Sequence, residues 1–331
     1  MNMHSPLPAE QRRDALNRFD LSGRRVFVAG HTGMAGSAIA RRLETEDCTS
    51  LLAGRDTVDL CDQRQVDAYF AEARPEVVFL AAGRVGGIAA NAALPADFLY
   101  DNLMIAANVI RAAHDHGVAK LLYLGSSCIY PKHANQPITE DQLLTGPLEE
   151  TNAPYAIAKI AGIKLCDAYR RQHGADFIAL MPTNLYGPGD NYHPEHSHVA
   201  AALLRRFHEA KLAGAPFVTV WGSGRPYREF LHVDDLADAC VFAMKSWSGA
   251  GVLNVGTGQD VTIAAFARLV AEVVGYEGEI AFDASKPDGT PRKCLDVSRM
   301  TALGWQARIP LKEGLTRTYQ DFLAGRGRGR A

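Results

Sequence analysis

The sequence lacks several features that would assign it to a class at once. Its six cysteines are scattered and none forms a CxxC pair, which argues against a metal site of the zinc type and against a disulfide framework. No uncharged apolar run reaches about 18 residues, so a membrane span is not expected. The formal net charge is −2 at pH 7, and nothing in that balance favours nucleic acid as a partner. Free thiols suit a reducing compartment, so we expect a cytoplasmic protein.

The two ends of the chain also lack patterned sequence. Residues 1–23 are mostly polar and have no signal-peptide apolar stretch, so we expect a flexible N-terminal extension. Residues 324–331 are short, basic and of low complexity. We interpret them as a flexible tail, and an RNA-binding role for their Gly–Arg repeat is the less favoured alternative at this length.

The first half of the chain alternates apolar runs with helical segments. Strands are predicted over residues 25–29, 49–53, 77–82, 120–125 and 177–181, with helices near 37–43, 63–73, 96–114 and 155–173. Strands that are apolar throughout and separated by helices indicate a parallel sheet covered on both faces. This is the doubly wound α/β, or Rossmann, architecture, and we place it over residues 24–187.

After about residue 187 the pattern changes. Loops rich in Pro, Gly and His precede a strand at 218–221 and helices at 234–245 and 263–274. We interpret residues 188–323 mainly as a smaller α/β domain, partly interwoven with the first, that covers a substrate. No internal repeat of about 20–50 residues is visible.

A glycine-rich turn follows the first predicted strand and opens the first helix. Its GxxGxxG pattern comprises Gly30, His31, Thr32, Gly33, Met34, Ala35 and Gly36. Glycines let the turn close and let backbone N–H groups approach a pyrophosphate, and the helix N-terminus adds positive potential. A tight turn without a ligand is the alternative, but the motif lies in the first βα turn, where dinucleotide binding requires it. This spacing is typical of short-chain dehydrogenases.

The end of the second strand bears on which dinucleotide binds. Arg55 lies about 20 residues after the turn, where an acidic residue would select NAD and an arginine favours the 2′-phosphate of NADP. A guanidinium can bind phosphate through two hydrogen bonds. We therefore predict NADP(H) as the cofactor. The alternative is that Arg55 is a surface residue and that Asp56 binds the ribose.

The residues Tyr155 and Lys159 form a YxxxK pair. Positions i and i+4 lie on one face of a helix, so both side chains can face the same cleft. A nearby ammonium stabilises a phenolate and lowers the tyrosine pKa from about 10. We therefore expect Tyr155 to protonate a ketone during its reduction, and Lys159 to hold the nicotinamide ribose as well.

The fourth strand ends in Gly125-Ser126-Ser127-Cys128. Carboxyl ends of parallel strands face the ligand crevice, where a serine hydroxyl can bind a substrate carbonyl. We favour Ser126 over Ser127 for this role. Cys128 lies two residues further on and should face the same side. Its thiolate can remove a proton from a carbon next to a ketone, although a lone cysteine is usually a small buried apolar residue.

At these residues the chain closely resembles the GDP-L-fucose synthase family of extended short-chain dehydrogenases/reductases. The sequences GSSCIYPK and PYAIAKIAGIK are the most specific part of the resemblance, which covers about residues 24–323. The segments that carry it are 30–37, 85–88, 125–132, 149–165, 181–187, 191–207, 221–235 and 283–293.

The resemblance implies two reactions at one site. C3 and C5 of GDP-4-keto-6-deoxy-D-mannose are epimerised through enolisation, and NADPH then reduces the C4 ketone. It implies that Ser126, Tyr155 and Lys159 serve the reduction, that Cys128 is the epimerisation base and that His198 is the acid. Inversion does need a second protonic group, and histidine suits it. From the residues alone, His193 and His196 remain alternatives.

The resemblance also indicates the ligand-binding residues. For the GDP-sugar these are Arg206, Trp221, Arg228 and Asp288, although Arg206 is alternatively a salt-bridged surface residue beside Arg205. Further residues expected at the cofactor site are Asp59, Leu124, Gly125, Ser127, Pro182, Asn184, Leu185 and His198. Thr32 replaces an arginine found in well-known bacterial members, which weakens the expected NADP preference, and Arg84 stands where lysine is usual.

Two rival functions remain as alternatives. A 4,6-dehydratase would need Asp-Glu after Thr or Ser at the end of the fourth strand, whereas Cys128-Ile129 follows Ser127 here. A non-catalytic NADP-binding regulatory protein would be expected to lack the serine, tyrosine or lysine.

The resemblance implies a homodimer built on helices 96–114 and 154–173, and the small residues Ala156, Ala158, Ala161 and Gly162 permit close approach there. Close packing within one chain is the alternative.

Overall fold

The computed structural model describes residues 19–194, 197–286 and 288–329. Its strands in chain order are β1 Arg25–Ala29, β2 Thr49–Leu51, β3 Val77–Leu80, β4 Lys120–Leu124, β5 Asp176–Pro182, β6 Asn184–Tyr186, β7 Phe217–Trp221, β8 Tyr227–His232, β9 Val252–Val255, β10 Asp260–Thr262, β11 Glu279–Asp283 and β12 Arg292–Lys293. Its helices are α1 Met34–Leu43, α2 Gln63–Ala73, α3 Ile88–Ala93, α4 Pro95–Asp115, α5 Ala153–His173, α6 Val199–Leu212, α7 Val233–Ser246, α8 Ile263–Val274, α9 Ser298–Leu303 and α10 Leu311–Leu323.

The central feature is a parallel six-stranded sheet with the order β2-β1-β3-β4-β5-β9. Its strands are almost entirely buried because apolar clusters cover both faces. One cluster joins α2, α4 and α5 to the sheet, and the other joins α1 and α7 to it. The predicted doubly wound α/β fold is therefore confirmed. The strand order reverses at β1 and β3, which opens a crevice at their carboxyl ends.

The remaining elements form a smaller unit around its own apolar cluster. Strand β8 pairs with β6, β10 and β12, and β7 pairs with β11. Helices α6, α8 and α10 pack against these strands, with Phe207 and Phe266 fully buried among them. Most of these strands are short or half-exposed, and among them the sequence predicted only β7.

The two units exchange segments. Strand β6 begins at Asn184, before the predicted boundary at 187, and already pairs with β8. In the other direction, α7 packs against α1, and β9 completes the six-stranded sheet beside β5. The chain therefore crosses between the units more than once, and residues 233–255 lie with the first one.

A buried carboxylate joins three of these segments. Glu229 on β8 is 0 % exposed. Its oxygens accept hydrogen bonds from the backbone amides of Thr257 at 2.6 Å, Gly258 at 2.8 Å and Leu295 at 2.8 Å. Burial raises the pKa of Glu229, and these amides oppose the rise because they stabilise the charged form. The loop after β9 and the segment after β12 are thus both fixed to β8.

The ends of the chain differ from the predicted flexible segments where the structure describes them. Residues 1–18 of the predicted extension lie outside the described residues. Leu21, within that extension, is 1 % exposed and packs in the core against α7. The tail is bound as well, since Arg328 hydrogen-bonds through its backbone to Asp190 and Tyr192. The prediction of a flexible tail is therefore not met for residues 324–329.

Over the part of the chain that the structure describes, no helix is both long and apolar enough to cross a membrane. The same residues include no group of three or more His, Cys, Asp or Glu side chains arranged to hold a metal ion.

Candidate active site

The glycine-rich turn has the shape that a dinucleotide pyrophosphate requires. Gly30 has φ +89°, and a Cβ there would lie 2.7 Å from the Cα of Ala82, just after β3. A Cβ on Gly36 would lie 2.1 Å from the carbonyl oxygen of Gly30. Gly33 immediately precedes α1 and has no side chain to cap the amides of its first turn. The amides and the helix dipole remain available for an anion, so the turn fits NADP(H).

The predicted 2′-phosphate ligand, Arg55, lies at the surface. Arg55 lies in the turn after β2, is exposed, and forms no ion pair with any described residue. Thr32 is exposed as well, whereas His31 is half-buried beside Gly54. The Asp59 carboxylate accepts the amide of Cys61 at 3.0 Å, which is a local turn contact.

The other predicted cofactor residues follow β4 and β5. Leu124 and Ser127 are buried, and Gly125 donates its amide to the Leu180 carbonyl at 2.9 Å. Pro182 ends β5, and the Asn184 side chain donates to the Glu229 carbonyl at 2.7 Å. Leu185 is half-buried within β6.

Ser126, Tyr155 and Lys159 meet at the carboxyl end of β4. Ser126 starts a 3-10 turn, and its hydroxyl accepts the amide of Cys128 at 3.3 Å. Tyr155 lies in the first turn of α5 and is 9 % exposed. Lys159 lies one helical turn later, where its Nζ donates to the Leu124 carbonyl at 2.9 Å and lies 5.9 Å from the centre of the Tyr155 ring. The two side chains therefore lie on the same side of α5 and close to each other, as the spacing predicted.

The protonation of this group differs from the sequence-based expectation. Burial and the nearby Cys128 raise the pKa of Tyr155, against a hydrogen bond with Ser126 that lowers it. Burial also lowers the pKa of Lys159 to about 8. Burial therefore sets the direction of the shift, and the lowering of the tyrosine pKa expected from the lysine is not found. Tyr155 is a phenol at neutral pH and can donate a proton.

Cys128 lies at the junction of the two units. Its Sγ is 3.5 Å from the Nζ of Lys293 on β12, and Arg228 on β8 is close enough for electrostatic interaction with it. Lys293 and Arg228 are register partners across these two strands. A cysteine beside two cationic side chains is a candidate for the group that removes a proton. The sequence analysis gave Lys293 no role, since a two-residue strand has no recognisable pattern.

The loop before α6 brings His198 to the same region. His198 is the residue before α6 and is half-buried. Burial lowers its pKa, and the positive charges of Lys293 and Arg328 lower it further. A lower pKa makes the imidazolium a stronger acid. His193 is also half-buried, and His196 lies outside the described residues.

The predicted GDP-sugar residues form a second cluster at the edge of the smaller unit. Trp221 is 55 % exposed, and the Arg206 guanidinium lies 5.2 Å from the centre of one of its rings. The ammonium of Lys286, which the sequence analysis did not single out, lies 5.5 Å from a Trp221 ring centre. Arg228 donates to the Asp288 carbonyl at 3.2 Å, and the Asp288 carboxylate accepts from Ser223. An exposed indole with several cations suits a nucleoside diphosphate.

Arg84, which stands where lysine is usual, is engaged within its own unit. Its guanidinium lies 2.7 Å from a carboxylate oxygen of Asp101 and 3.4 Å from one of Asp97, both on α4. These ion pairs give Arg84 a structural contact with α4.

Comparisons with known proteins identify the family. Residues 26–256 match the model of the NAD dependent epimerase/dehydratase family. The chain is 57 % identical to the GDP-L-fucose synthase of Escherichia coli (strain K12), over 94 % of this chain and 100 % of that protein. It is 58 % identical to GDP-L-fucose synthase 1 of Arabidopsis thaliana, over 90 % of this chain and 93 % of that protein.

A solved structure supports the same assignment. The crystal structure of a GDP-L-fucose synthetase from Naegleria fowleri bound to NADP has a TM-score of 0.86 to this chain at 28 % identity, covering 94 % of this chain and 96 % of that one. Sequence and structure together show that the chain belongs to the GDP-L-fucose synthase family.

Proposed function

We propose that this protein converts GDP-4-keto-6-deoxy-D-mannose to GDP-L-fucose, by epimerisation at C3 and C5 followed by NADPH-dependent reduction at C4. The observation that carries the proposal is that Ser126, Tyr155 and Lys159, the groups for the reduction, lie together at the end of β4, while Cys128 and His198, the groups for the epimerisation, both lie near Lys293. The family membership supports the substrate, because the named relatives are GDP-L-fucose synthases.

Epimerisation requires proton removal on one face of the sugar and proton return on the other. The C4 ketone acidifies the protons on C3 and C5. Cys128 acts as the base, with the cationic side chains of Lys293 and Arg228 beside it. The Ser126 hydroxyl donates to the C4 oxygen as the enolate forms. His198 then protonates the carbon from the opposite face, which inverts the centre.

Reduction uses the residues at the end of β4 and the start of α5. Bound NADPH supplies a hydride to C4. Tyr155 donates its phenolic proton to the C4 oxygen, since burial keeps it protonated. Ser126 orients that oxygen, and Lys159 holds the cofactor ribose while its charge stabilises the phenolate left behind. Arg206, Arg228, Trp221 and Asp288 bind the GDP portion.

The direct test is identification of the product by NMR after incubation with GDP-4-keto-6-deoxy-D-mannose and NADPH. We expect GDP-L-fucose. Reduction at C4 with C3 and C5 unchanged would contradict the epimerase half of the proposal and indicate a simple reductase. An unchanged substrate with NADPH bound would favour a regulatory protein.

Arg55 is expected to set the preference for NADPH over NADH. Arg55→Ala should weaken NADPH binding and leave NADH binding unchanged, because a lost hydrogen bond to a charged group costs about 1.5–3 kcal/mol. Fluorescence titration of both cofactors measures the ratio. Arg64→Ala, which removes an exposed arginine from α2, is the matched control. Equal affinities for the two cofactors in the parent protein would contradict this role.

We also propose a homodimer formed through α4 and α5. The exposed face of these helices carries Tyr100 (61 % exposed), Leu103 (39 %) and Ile157 (51 %), an apolar surface suited to a second copy. Three of the four small residues named on α5 do not form this face, since Ala156 and Ala158 are buried and a Cβ on Gly162 would lie 2.5 Å from Tyr123; the fourth, Ala161, is half-buried. Light scattering at micromolar concentration should give twice the monomer mass, and a monomer would contradict the proposal.

We further propose a cytoplasmic location. The six cysteines are all free, and free thiols persist where the compartment is reducing.

A further inference from the structure

The C-terminal residues 326–329, here called the strap, are bound to the loop that leads into α6. This entry loop comprises residues 187–194. The amide of Tyr192 donates to the Arg328 carbonyl at 2.8 Å, and the amide of Arg328 donates to the Asp190 carbonyl at 3.0 Å. Asn191 and Arg328 form an isolated parallel β-bridge. The loop, which ends four residues before His198, is thus held by main-chain hydrogen bonds from the strap.

The glycines of the strap are required by this contact. A Cβ on Gly327 would lie 2.4 Å from two carbon atoms of the Tyr192 ring. Gly329 has φ +65°, and a Cβ there would be 2.9 Å from the amide nitrogen of His193. A Gly-Arg-Gly sequence therefore lets the backbone approach the loop, which gives the low-complexity tail a structural explanation.

The side chain of Arg328, between those glycines, also contacts the entry loop. The Nε of Arg328 donates to the Gly189 carbonyl at 3.2 Å, and its positive charge acts on both Asp190 and His198. Arg205 on α6 binds both the loop and the strap, since its Nη1 donates to the Tyr192 carbonyl at 2.8 Å and to the Gly329 carbonyl at 3.4 Å. Strap, loop and α6 therefore form one hydrogen-bonded unit beside the site.

We infer that Arg328 is a positioning residue for the acid step, holding the entry loop so that His198 faces the carbon to be protonated. The inference rests on the proposed function. Inversion needs the imidazole on the face opposite Cys128, and a small displacement of a general acid lowers the rate steeply. Exchange without inversion, in which Cys128 removes a proton and one is returned to the same face, does not depend on the placement of His198.

The inference is tested by measuring inversion at C3 and C5 separately from deuterium exchange, both by NMR in D₂O with GDP-4-keto-6-deoxy-D-mannose. Arg328→Met should slow inversion roughly 10- to 100-fold and slow exchange much less. NADPH affinity should stay at the parent value. Arg328→Lys should restore part of the inversion rate. Arg317→Met is the matched control, because Arg317 is a half-exposed arginine on α10 that pairs with Glu313 of the same helix.

The pH dependence of inversion separates positioning from general loss of structure. The charged groups acting on His198 are Lys293 from β12 and Arg328 from the strap. Removal of the Arg328 charge raises the pKa of His198, so the loss of inversion at high pH should move to higher pH. Arg328→Gln, which keeps a donor for the Gly189 carbonyl, should show the same shift and serves if the Met variant does not fold.

The possible outcomes are distinct. A parent protein that neither exchanges nor inverts would contradict the proposed function. Neutral variants that invert at the parent rate with the parent pH profile would overturn the positioning role. Inversion and exchange that fall equally, without a pH shift or rescue by lysine, would show that the strap only stabilises the fold.

Discussion

Tyr155→Phe is expected to stop reduction while leaving proton exchange at C3 and C5. The substitution removes only the phenolic hydroxyl, and loss of a general acid typically costs about 10²–10⁴-fold in rate. Cys128 and His198 are unchanged, so deuterium should still enter the sugar. NADPH oxidation followed by absorbance measures the first reaction, and NMR in D₂O measures the second.

Tyr169→Phe is the matched control for this variant. Tyr169 lies near the other end of the same helix, where its ring contacts His114 and Phe177 and not the cleft. It should reduce the substrate at close to the parent rate. Hydride transfer at the parent rate in Tyr155→Phe would show that another group protonates the C4 oxygen.

Cys128→Ser is expected to give the reverse pattern. Serine keeps the size and hydrogen bonding of cysteine, but it is a far weaker acid and is a poor base for removing the C3 and C5 protons. Deuterium exchange at C3 and C5 should fall by about 10²–10⁴-fold. NADPH should still bind, and slow reduction of the unepimerised ketone should remain because Ser126, Tyr155 and Lys159 are intact.

The control for this substitution is Cys48→Ser, in the half-buried segment after α1. It should behave as the parent protein does. If Cys128→Ser exchanges deuterium at the parent rate, the thiol is a packing group, and His198 becomes the next candidate for the base.

The sequence predicted the first unit well because its signals are local. Strands such as β3 are apolar at every position, and the glycine-rich turn fixes where β1 ends and α1 begins. The YxxxK spacing needs only helix geometry to bring Tyr155 and Lys159 to one cleft. These features depend on few long-range contacts, so a single sequence contains them.

The parts that sequence could not predict depend on distant contacts. Strand β12 has two residues and exists because it pairs with β8, and this pairing alone brings Lys293 to Cys128. Low complexity suggested a flexible tail, yet the small size of Gly327 is what lets the strap bind. Small residues on α5 suggested contact with a second chain, but the space beside one of them, Gly162, is filled by Tyr123 of the same chain.

The exchange of segments between the two units has a consequence for synthesis of the chain. The ribosome synthesises the chain from the N-terminus, and domains generally fold as units in that order during synthesis. Here the sheet lacks its last strand, and one face lacks α7, until Val255 has emerged. A nascent chain ending at residue 187 exposes the apolar side of β5 and of α1. The first unit therefore completes its folding only after β6, α6, β7 and β8 of the smaller unit have been made.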